Sequence, residues 1–326
     1  MAETNWSLTP KPSIDMSQTD NSRRFYERYV EPMIRERFGL YENRIAVGLA
    51  GEGSDCFGYD DFMSRDHDFG TGVCLWLTSA DYESFGKELC DAYDELIDKM
   101  PGNNLTARLR ARRGVMTIDG FYSNILGTTV PAETGRLTEE EWMALDHSCL
   151  ATATNGEVFR DDSGVFSSFR SYLLDYYPDR VWRFRIADEL HKFASALQVN
   201  YARCMSRGDS VAAGMCRLNG LASAMELFFL LHRQYPPYYK WTYRRMCEIE
   251  DGLYAKRVKE LADAVSDPKV WEGKKYSPDY INLSDPVVFS AEMLAESVID
   301  LMSERGLVTP SNKYLEKYVD VILIGT

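Results

Sequence analysis

Histidine is scarce in this sequence, and cysteine does not occur with metal-site spacing. The 326 residues include four histidines and seven cysteines, and no two cysteines are separated by the two residues of a zinc knuckle or a thioredoxin-like site. A zinc centre is therefore not expected. An odd number of scattered cysteines is typical of reduced thiols, so we expect a cytoplasmic protein.

The sequence also lacks long hydrophobic runs and an excess of positive charge. No run approaches the roughly 20 apolar residues of a membrane span, and residues 1–20 lack the basic head and apolar stretch of a secretory signal. Acidic residues outnumber basic ones, 50 to 37, which gives a net charge of −13. Because duplex nucleic acid and anionic lipid attract cationic surfaces, we expect neither a membrane nor duplex nucleic acid as a partner.

The composition is that of a globular protein. Hydrophobic residues make up 45% of the chain and aromatic residues 13%, and the length suits two domains. We predict a flexible N-terminal arm over residues 1–21, an α/β domain over 22–150 and a helical domain over 151–326. The predicted fold class is α+β, with a mixed sheet flanked by helices and followed by an all-α domain.

Helices and strands alternate in the first half of the chain, as judged from the spacing of apolar residues. The predicted elements are a helix over 22–39 that is interrupted at Pro32, a strand over 44–50, a strand over 66–78, a helix over 81–100 and a strand over 114–119. The arginine-rich segment 108–113 is interpreted as an exposed strand edge, with part of an acceptor site as the alternative.

Helical periodicity dominates the second half. Three stripes of apolar residues, spaced three or four positions apart, predict helices that face a core. The stripes are Ile186, Leu190, Phe193 and Leu197; Val211, Met215, Leu218, Ala222, Met225 and Phe229; and Met293, Leu294, Val298, Leu301 and Met302. Residues 155–164 predict a short hairpin between the two domains.

A glycine-rich turn follows the first predicted strand and reads Gly51-Glu52-Gly53-Ser54. Glycine permits the positive φ of a tight turn and lets the backbone approach a ligand closely. Successive amide N–H groups beside a serine hydroxyl form a cradle for an anion. Gly53 and Ser54 are therefore candidate binding residues for a phosphate chain. Neither a dinucleotide-binding fingerprint nor a Walker lysine is present.

Two aspartates, Asp66 and Asp68, begin the second predicted strand. In an extended chain they share a face, with Cα atoms roughly 6–7 Å apart. Carboxylates so placed can hold one or two Mg²⁺ ions together with phosphate oxygens. Asp119, on the predicted third strand, is the candidate third ligand. The three aspartates are the candidate catalytic and metal-binding residues.

These motifs resemble the signature of the polymerase-β-like nucleotidyltransferase superfamily, which includes the aminoglycoside and lincosamide nucleotidyltransferases. Longer strings are similar to a bacterial family in that superfamily described as a domain of unknown function. The strings are GEGS at 51–54, SRDHDFG at 64–70, VCLWL at 73–77 and YPPYYKW at 235–241. The resemblance extends from about residue 40 to about residue 245.

The resemblance implies a nucleotidyltransferase core and a helical domain that hold a nucleoside triphosphate and Mg²⁺. Gly53 and Ser54 match its phosphate-binding turn, and Asp66 and Asp68 match its two metal-binding acids. Asp119 matches the third acid by its place on the third strand. The implied reaction moves a nucleoside monophosphate, from ATP by preference, to a hydroxyl acceptor, for which a small molecule is favoured over a protein or an RNA end.

Other assignments and functions stay open. Lys240 is either a phosphate-facing cation that binds the nucleotide or a lysine packed on the aromatic rings of 235–241. Asp188, Glu189 and Glu226 are candidate general bases, and an acidic helical domain would attract a cationic acceptor such as an aminoglycoside. The alternatives are a non-catalytic nucleotide-binding or regulatory protein with the same fold, and a helical interaction protein that binds no nucleotide.

Overall fold

The computed structural model describes residues 18–59, 71–100, 107–129, 131–277 and 280–325. The chain divides into two compact units. The first, the sheet unit, comprises Met1–Arg136 and Thr152–Tyr172, and the second, the helical unit, comprises Leu137–Ala151 and Leu173–Thr326. The sequence predicted a single boundary near residue 150, and the domain limits 22–150 and 151–326 stay a prediction.

The sheet unit contains a mixed four-stranded sheet in the order β3-β2-β1-β4. Its strands are β1 (Ala46–Leu49), β2 (Cys74–Leu77), β3 (Gly114–Thr117) and β4 (Glu157–Arg160). β1 is antiparallel to both β2 and β4, and β2 is parallel to β3. Every residue of β1 and β2 is buried. The predicted α+β class is confirmed.

Residues 155–164 do not form a separate hairpin, because β4 is the fourth strand of the sheet. It pairs with β1, whose Gly48 lets it come close. A Cβ atom on Gly48 would lie 2.5 Å from the carbonyl oxygen of Glu157. The lack of a side chain at Gly48 therefore allows β4 to pack against β1, where the sequence predicted a hairpin between the domains.

The first helices are α1 (Gln18–Phe25), α2 (Glu31–Phe38), α3 (Ser79–Asp81), α4 (Lys87–Asp98), α5 (Ala107–Arg112) and α6 (Ile118–Leu126). A π-helical turn, Tyr26–Val30, joins α1 to α2 directly before Pro32, and a second, Tyr82–Gly86, joins α3 to α4. Proline cannot donate the helical hydrogen bond and clashes with the preceding turn. The π-helical turn Tyr26–Val30 is therefore the expected response of this helix to Pro32.

The remaining helices follow in chain order. They are α7 (Glu139–Ala144), α8 (His147–Thr154), α9 (Val165–Leu174), α10 (Asp179–Phe193), α11 (Tyr201–Ser206), α12 (Ser210–Leu231), α13 (Tyr239–Ile249), α14 (Leu253–Asp263), α15 (Pro286–Glu304) and α16 (Val319–Ile324). In the described ranges, no helix combines the length and the hydrophobicity that a bilayer crossing requires.

The apolar stripes of the helical unit were predicted with mixed success. Ile186, Leu190 and Phe193 are fully buried on α10, as predicted. The stripe on α12 was wrong over its first half, where the side chains are exposed: Val211 by 76%, Met215 by 62% and Leu218 by 67%. α12 instead buries a face that contains Gly220. A Cβ atom on Gly220 would lie 2.3 Å from Cγ of Leu197, so only glycine fits at this close contact.

Candidate functional site

The glycine-rich turn lies directly beyond the end of β1. Gly51 and Gly53 have φ values of 103° and 128°, which side-chain-bearing residues rarely adopt. The amide of Gly51 donates to Oδ1 of Asn155 at 2.8 Å, and Nδ2 of Asn155 donates back to the carbonyl of Gly51 at 2.8 Å. Asn155 therefore fixes the backbone of the turn from the start of β4.

Asn155 is itself held in place by an arginine and a glycine. Nη2 of Arg170 donates to the carbonyls of Thr154, Asn155 and Gly156 at 2.6, 3.1 and 3.3 Å. Gly156 has a φ of 66°, and a Cβ atom on it would lie 1.9 Å from the carbonyl oxygen of Leu49. The segment that carries Asn155 can thus approach the end of β1 only with glycine at 156.

Two arginine–carboxylate pairs flank the same turn. Nη2 of Arg113 lies 2.8 Å from Oδ2 of Asp55, and this pair is largely shielded from solvent. Nη2 of Arg112 lies 2.7 Å from Oε2 of Glu52 at the surface. The carboxylate of Glu52, which the general phosphate-turn pattern does not contain, is therefore balanced by its own cation.

The arginine-rich segment is not a strand edge. Residues 107–112 form α5, and Arg113 turns into the protein, where its Nη2 also lies 3.4 Å from Sγ of Cys56. Burial raises the pKa of the Cys56 thiol, and the nearby Arg113 partly offsets that effect. Cys56 is therefore a neutral thiol at physiological pH, consistent with a packing role.

Ser54 precedes a short 3₁₀ helix, Asp55–Phe57, at the end of the turn. Its carbonyl accepts from the amides of Phe57 and Tyr59 at 3.2 and 2.8 Å. Gly53 and Ser54 are both half-buried, so the turn reaches solvent on one side. The phosphate-binding role of these two residues stays a prediction.

Of the three predicted metal ligands, Asp66 and Asp68 lie outside the described residues. Asp119 is described, and it lies in the first turn of α6 rather than on β3. The strand ends at Thr117, whose hydroxyl accepts from the amide of Gly120 at 2.9 Å and caps the helix. The placement of Asp119 on the third strand was therefore wrong, because the cap stops the strand two residues earlier.

The strand directions also separate Asp119 from the turn. Cys74 at the start of β2 pairs with Gly48 near the end of β1, and Gly114 at the start of β3 pairs with Cys74. The starts of β2 and β3 therefore lie at the end of the sheet that carries the turn. Asp119 follows the other end of β3, about 10 Å away along the strand at 3.3 Å per residue. Its Oδ1 accepts from the amide of Glu133 at 3.2 Å.

The start of β3 beside the turn is basic, since Arg112 and Arg113 precede Gly114. Among the described residues, no three side chains of histidine, cysteine, aspartate or glutamate cluster in a way that could hold a metal ion. The described residues around the turn therefore provide paired charges and backbone amides but no metal cluster. Asp66 and Asp68 remain the candidate metal ligands predicted from the sequence.

Lys240 lies in the helical unit, exposed in the first turn of α13. Its Nζ lies 5.4 Å from the ring centre of Tyr238 and 5.3 Å from that of Trp241. No carboxylate of the described residues lies within ion-pair distance of it. The packing on aromatic rings matches one of its two predicted roles, and nucleotide binding by Lys240 stays a prediction.

Residues 142–242 match the model of a family described as a domain of unknown function (DUF4037). No curated protein matches the chain in sequence. Among solved structures, the chain is similar to the crystal structure of a nucleotidyltransferase-like protein from Exiguobacterium sibiricum 255-15, with a TM-score of 0.37 and 12% identity over 85% of this chain and 78% of that one. The description of the matched family agrees with the domain of unknown function that the longer sequence strings resemble.

Three residues that support the turn were not found from the sequence: Arg113, Asn155 and Arg170. The Asn155-Gly156 pair was visible, but such a pair is the usual signal of a hairpin turn. Its contact with Gly51 spans more than a hundred residues of chain, and no local pattern reports such a pairing. The run of arginines at 108–113 was visible too, but nothing in it distinguishes the one that is buried.

Proposed function

We propose that this protein is a nucleotidyltransferase that moves a nucleoside monophosphate from a nucleoside triphosphate, ATP by preference, to the hydroxyl of a small-molecule acceptor with the aid of Mg²⁺. The observation that supports this proposal is the turn at the end of β1. Its two glycines have positive φ, and Asn155 holds its backbone at 2.8 Å on both sides of Gly51.

The turn has the features of an anion cradle. Gly51 and Gly53 have positive φ, and the carboxylates of Glu52 and Asp55 are balanced by arginines. A phosphate chain would therefore not meet two uncompensated negative charges. Backbone N–H groups fixed in advance bind an anion at little reorganisation cost.

The proposed metal ligands enter from the next segment. Asp68 stands four residues before Gly72 in the sequence, and a Cβ atom on Gly72 would lie 3.4 Å from the side chain of Arg113, beside the turn. We propose that Asp66 and Asp68 face the turn and hold Mg²⁺, since carboxylate oxygens are the ligands this ion prefers. Asp119 does not fit this site, because it lies at the opposite end of β3.

The roles of the residues follow from this arrangement. Gly53 and Ser54 hold the β- and γ-phosphates, and the acids position the α-phosphate for in-line attack by the acceptor hydroxyl. Bound Mg²⁺ would neutralise the charge that develops on the departing pyrophosphate. Arg113 and Asn155 contact no phosphate and keep the turn in shape.

Calorimetric titration with ATP, with and without Mg²⁺, tests the proposal, followed by measurement of pyrophosphate release over a panel of hydroxyl acceptors. We expect saturable, Mg²⁺-dependent ATP binding. Asp66→Asn or Asp68→Asn should weaken it at least tenfold and abolish pyrophosphate release. The fold should be kept, as judged by circular dichroism.

Two control variants make the test specific. Asp61→Asn removes an acid from the same segment outside the Asp-x-Asp pair, and Asp119→Asn removes the acid that the geometry excludes. Both should bind Mg²⁺–ATP as the unmodified protein does. Unchanged binding and release in the Asp66 and Asp68 variants would refute the mechanism.

One observation favours a second function, nucleotide binding without turnover. Arg112 and Arg113 precede β3 beside the turn, and the expected third acid, Asp119, lies beyond the other end of that strand. A site with two acids and adjacent cations can retain a nucleotide without the full metal cage for transfer. Mg²⁺-dependent ATP binding combined with no pyrophosphate release from any acceptor would support this alternative.

A further inference from the structure

Two of the cysteines lie beside each other in the helical unit. Cys204 is on α11 and Cys216 is on α12, and a hydrogen bond joins their two thiols. Both residues are half-buried, and neither is part of a disulfide. The pair is therefore a contact between two free thiols that solvent partly reaches.

A short turn fixes α11 against α12 on one side of this pair. Arg207, Gly208 and Asp209 are the three residues between the two helices. The carbonyl of Cys204 accepts from the amides of Arg207 and Asp209 at 3.1 and 3.0 Å. Oδ1 of Asp209 accepts from the amide of Ala212 at 2.9 Å and caps α12. The end of α11 that carries Cys204 is thus bonded to the residue at which α12 begins.

A close helix contact fixes the other side of the pair. The π-helical segment Ala194–Asn200 leads into α11, and a Cβ atom on Gly220 of α12 would lie 2.3 Å from Cγ of its Leu197. Leu197 precedes Cys204 in the chain and Gly220 follows Cys216, so the cysteines lie between the turn and this contact. Backbones that meet through glycine come close together, as a disulfide requires, since its Cα atoms are usually about 4.4–6.8 Å apart.

The two thiols have different roles in an exchange reaction. Burial, and then the charge of an ionised Cys204, raise the pKa of the Cys216 thiol. Cys216 therefore keeps its proton while Cys204 is a thiolate, and its S–H donates to the Cys204 sulfur. Because the thiolate is the nucleophile in disulfide exchange, Cys204 is the attacking thiol and Cys216 is the resolving thiol.

We propose that Cys204 and Cys216 form a reversible disulfide by exchange with a low-molecular-weight disulfide. The Cys204 thiolate attacks one sulfur of that molecule, a mixed disulfide forms, and one small thiol leaves with a proton. Cys216 then loses its proton and attacks Sγ of Cys204, and the second small thiol leaves with that proton. The two cysteines are oxidised by two electrons, and the small disulfide is reduced to two thiols.

The bond would join α11 to α12 inside the helical unit. The proposal does not rest on nucleotide transfer, because both cysteines and the contacts that hold them belong to that unit. Cys247 offers a matched comparison in the same unit. It is half-buried as well, but its thiol forms a hydrogen bond with Tyr243.

Oxidised glutathione is the probe for the full-length protein, and tryptic digestion locates the bond. Cleavage after Arg203, Arg207 and Arg217 yields the peptides 204–207 and 208–217, each with one cysteine. Mass spectrometry without reduction therefore detects their linkage directly. We expect this linked pair to be at least tenfold more abundant than any other cysteine pair, and dithiothreitol to remove it.

Single substitutions separate the two roles. Cys216→Ser should stop the reaction at a glutathione adduct on Cys204, and Cys204→Ser should slow the modification of Cys216 at least tenfold. Cys247→Ser should form the bond between Cys204 and Cys216 at the rate of the unmodified protein.

Three results would overturn the proposal. The first is the absence of the linked peptides, and the second is a glutathione adduct on Cys204 that persists in the unmodified protein. The third is linkage that forms as fast in concentrated urea as in the folded protein, because nearness in the chain would then account for the pairing. We expect linkage in urea to be at least tenfold slower.

Discussion

The glycine turn of the sheet unit differs from a group of polar side chains in the helical unit in how its polar atoms are paired. This group, which we call the His147 cluster, contains His147, Tyr177, Arg185 and Glu226. At the turn, each nearby carboxylate has an arginine within 2.8 Å, and the backbone of Gly51 is bonded on both sides by Asn155. In the His147 cluster, the hydroxyl of Tyr177 and Nε of Arg185 have no hydrogen-bond partner among the described residues, and Glu226 lies near other acids.

The glycine turn is thus a fixed backbone, whereas the His147 cluster contains hydrogen-bonding groups without partners. Because its charges are paired and its backbone is hydrogen-bonded, the turn is held in shape before any ligand binds. Unpaired buried groups cost free energy until a ligand or water satisfies them. From this contrast we expect that breaking the buried Asp55–Arg113 pair destabilises the protein, whereas removing a group from the His147 cluster does not.

The largest effect is expected from Asp55→Asn. The substitution leaves the guanidinium of Arg113 buried without a carboxylate, and uncompensated buried charges cost about 3–5 kcal/mol. We expect the free energy of unfolding of the sheet unit to fall by that amount. Urea unfolding combined with native-state hydrogen exchange of the β1 and β3 amides measures it.

Glu52→Gln is the matched control, because it breaks the exposed pair with Arg112 at the same turn. Exposed pairs contribute about 0–1 kcal/mol, so this variant should remain within about 1 kcal/mol of the unmodified protein. Equal losses in the two variants would mean that the Asp55–Arg113 pair is no more important than a surface contact.

The second expected effect comes from Glu226 and depends on pH. Burial, and then the charges of Glu189 and Asp146, raise the pKa of Glu226 to about 8 from 4.5. Between these values the folded state binds more protons than the unfolded state, so stability falls as pH rises from 4.5 to 8. Glu226→Gln removes this loss and should be more stable than the unmodified protein at pH 8 by a few kcal/mol, with little difference at pH 5.

Hydrogen exchange of the α12 amides across the pH range measures this effect in the helical unit. His147 supplies an internal check, since its pKa is lowered to about 4 from 6.5. The folded state binds fewer protons in that interval, so stability also falls as pH drops from 6.5 to 4, and Glu226→Gln should keep this acid-side loss. Asp300→Asn, an exposed acid on α15, should leave both slopes unchanged. Parallel pH profiles for Glu226→Gln and the unmodified protein would contradict the raised pKa of Glu226.

The sequence predicted those parts of the molecule that rest on local patterns. The strands β1 and β2 and the stripe on α10 follow from the spacing of apolar residues. The end of β3 was missed because one hydroxyl, that of Thr117, caps α6 and outweighs the strand-forming residues around it. The stripe on α12 was misassigned because Gly220 packs against Leu197, a contact that apolar spacing does not report.

The sequence predicted the glycine turn but did not predict the His147 cluster. The glycine turn was found because positive φ restricts a position to glycine, which is visible in one sequence. Glu226 was one of three acids proposed as a base, but nothing local distinguished it. The His147 cluster joins α8, α10, α12 and the turn before α10, and its members have no fixed spacing. Burial of a charge, as at Arg113 and Glu226, is a property of the assembled core and not of the residue type.

The smallest of these effects on stability is expected from Asn155→Ala, which tests both the stability of the glycine turn and its proposed phosphate binding. The substitution removes both hydrogen bonds to Gly51 and leaves the buried backbone of the turn unpaired, so it should cost about 2 kcal/mol. Asn155→Asp keeps the acceptor for the Gly51 amide but loses the donor, and it should recover about half of that loss.

If the proposed phosphate site is correct, Mg²⁺–ATP affinity should follow the same order, with the unmodified protein tightest and alanine weakest. Urea unfolding and calorimetry on the same samples make the comparison, and loss of stability without loss of ATP affinity would show that the turn is structural rather than a phosphate cradle.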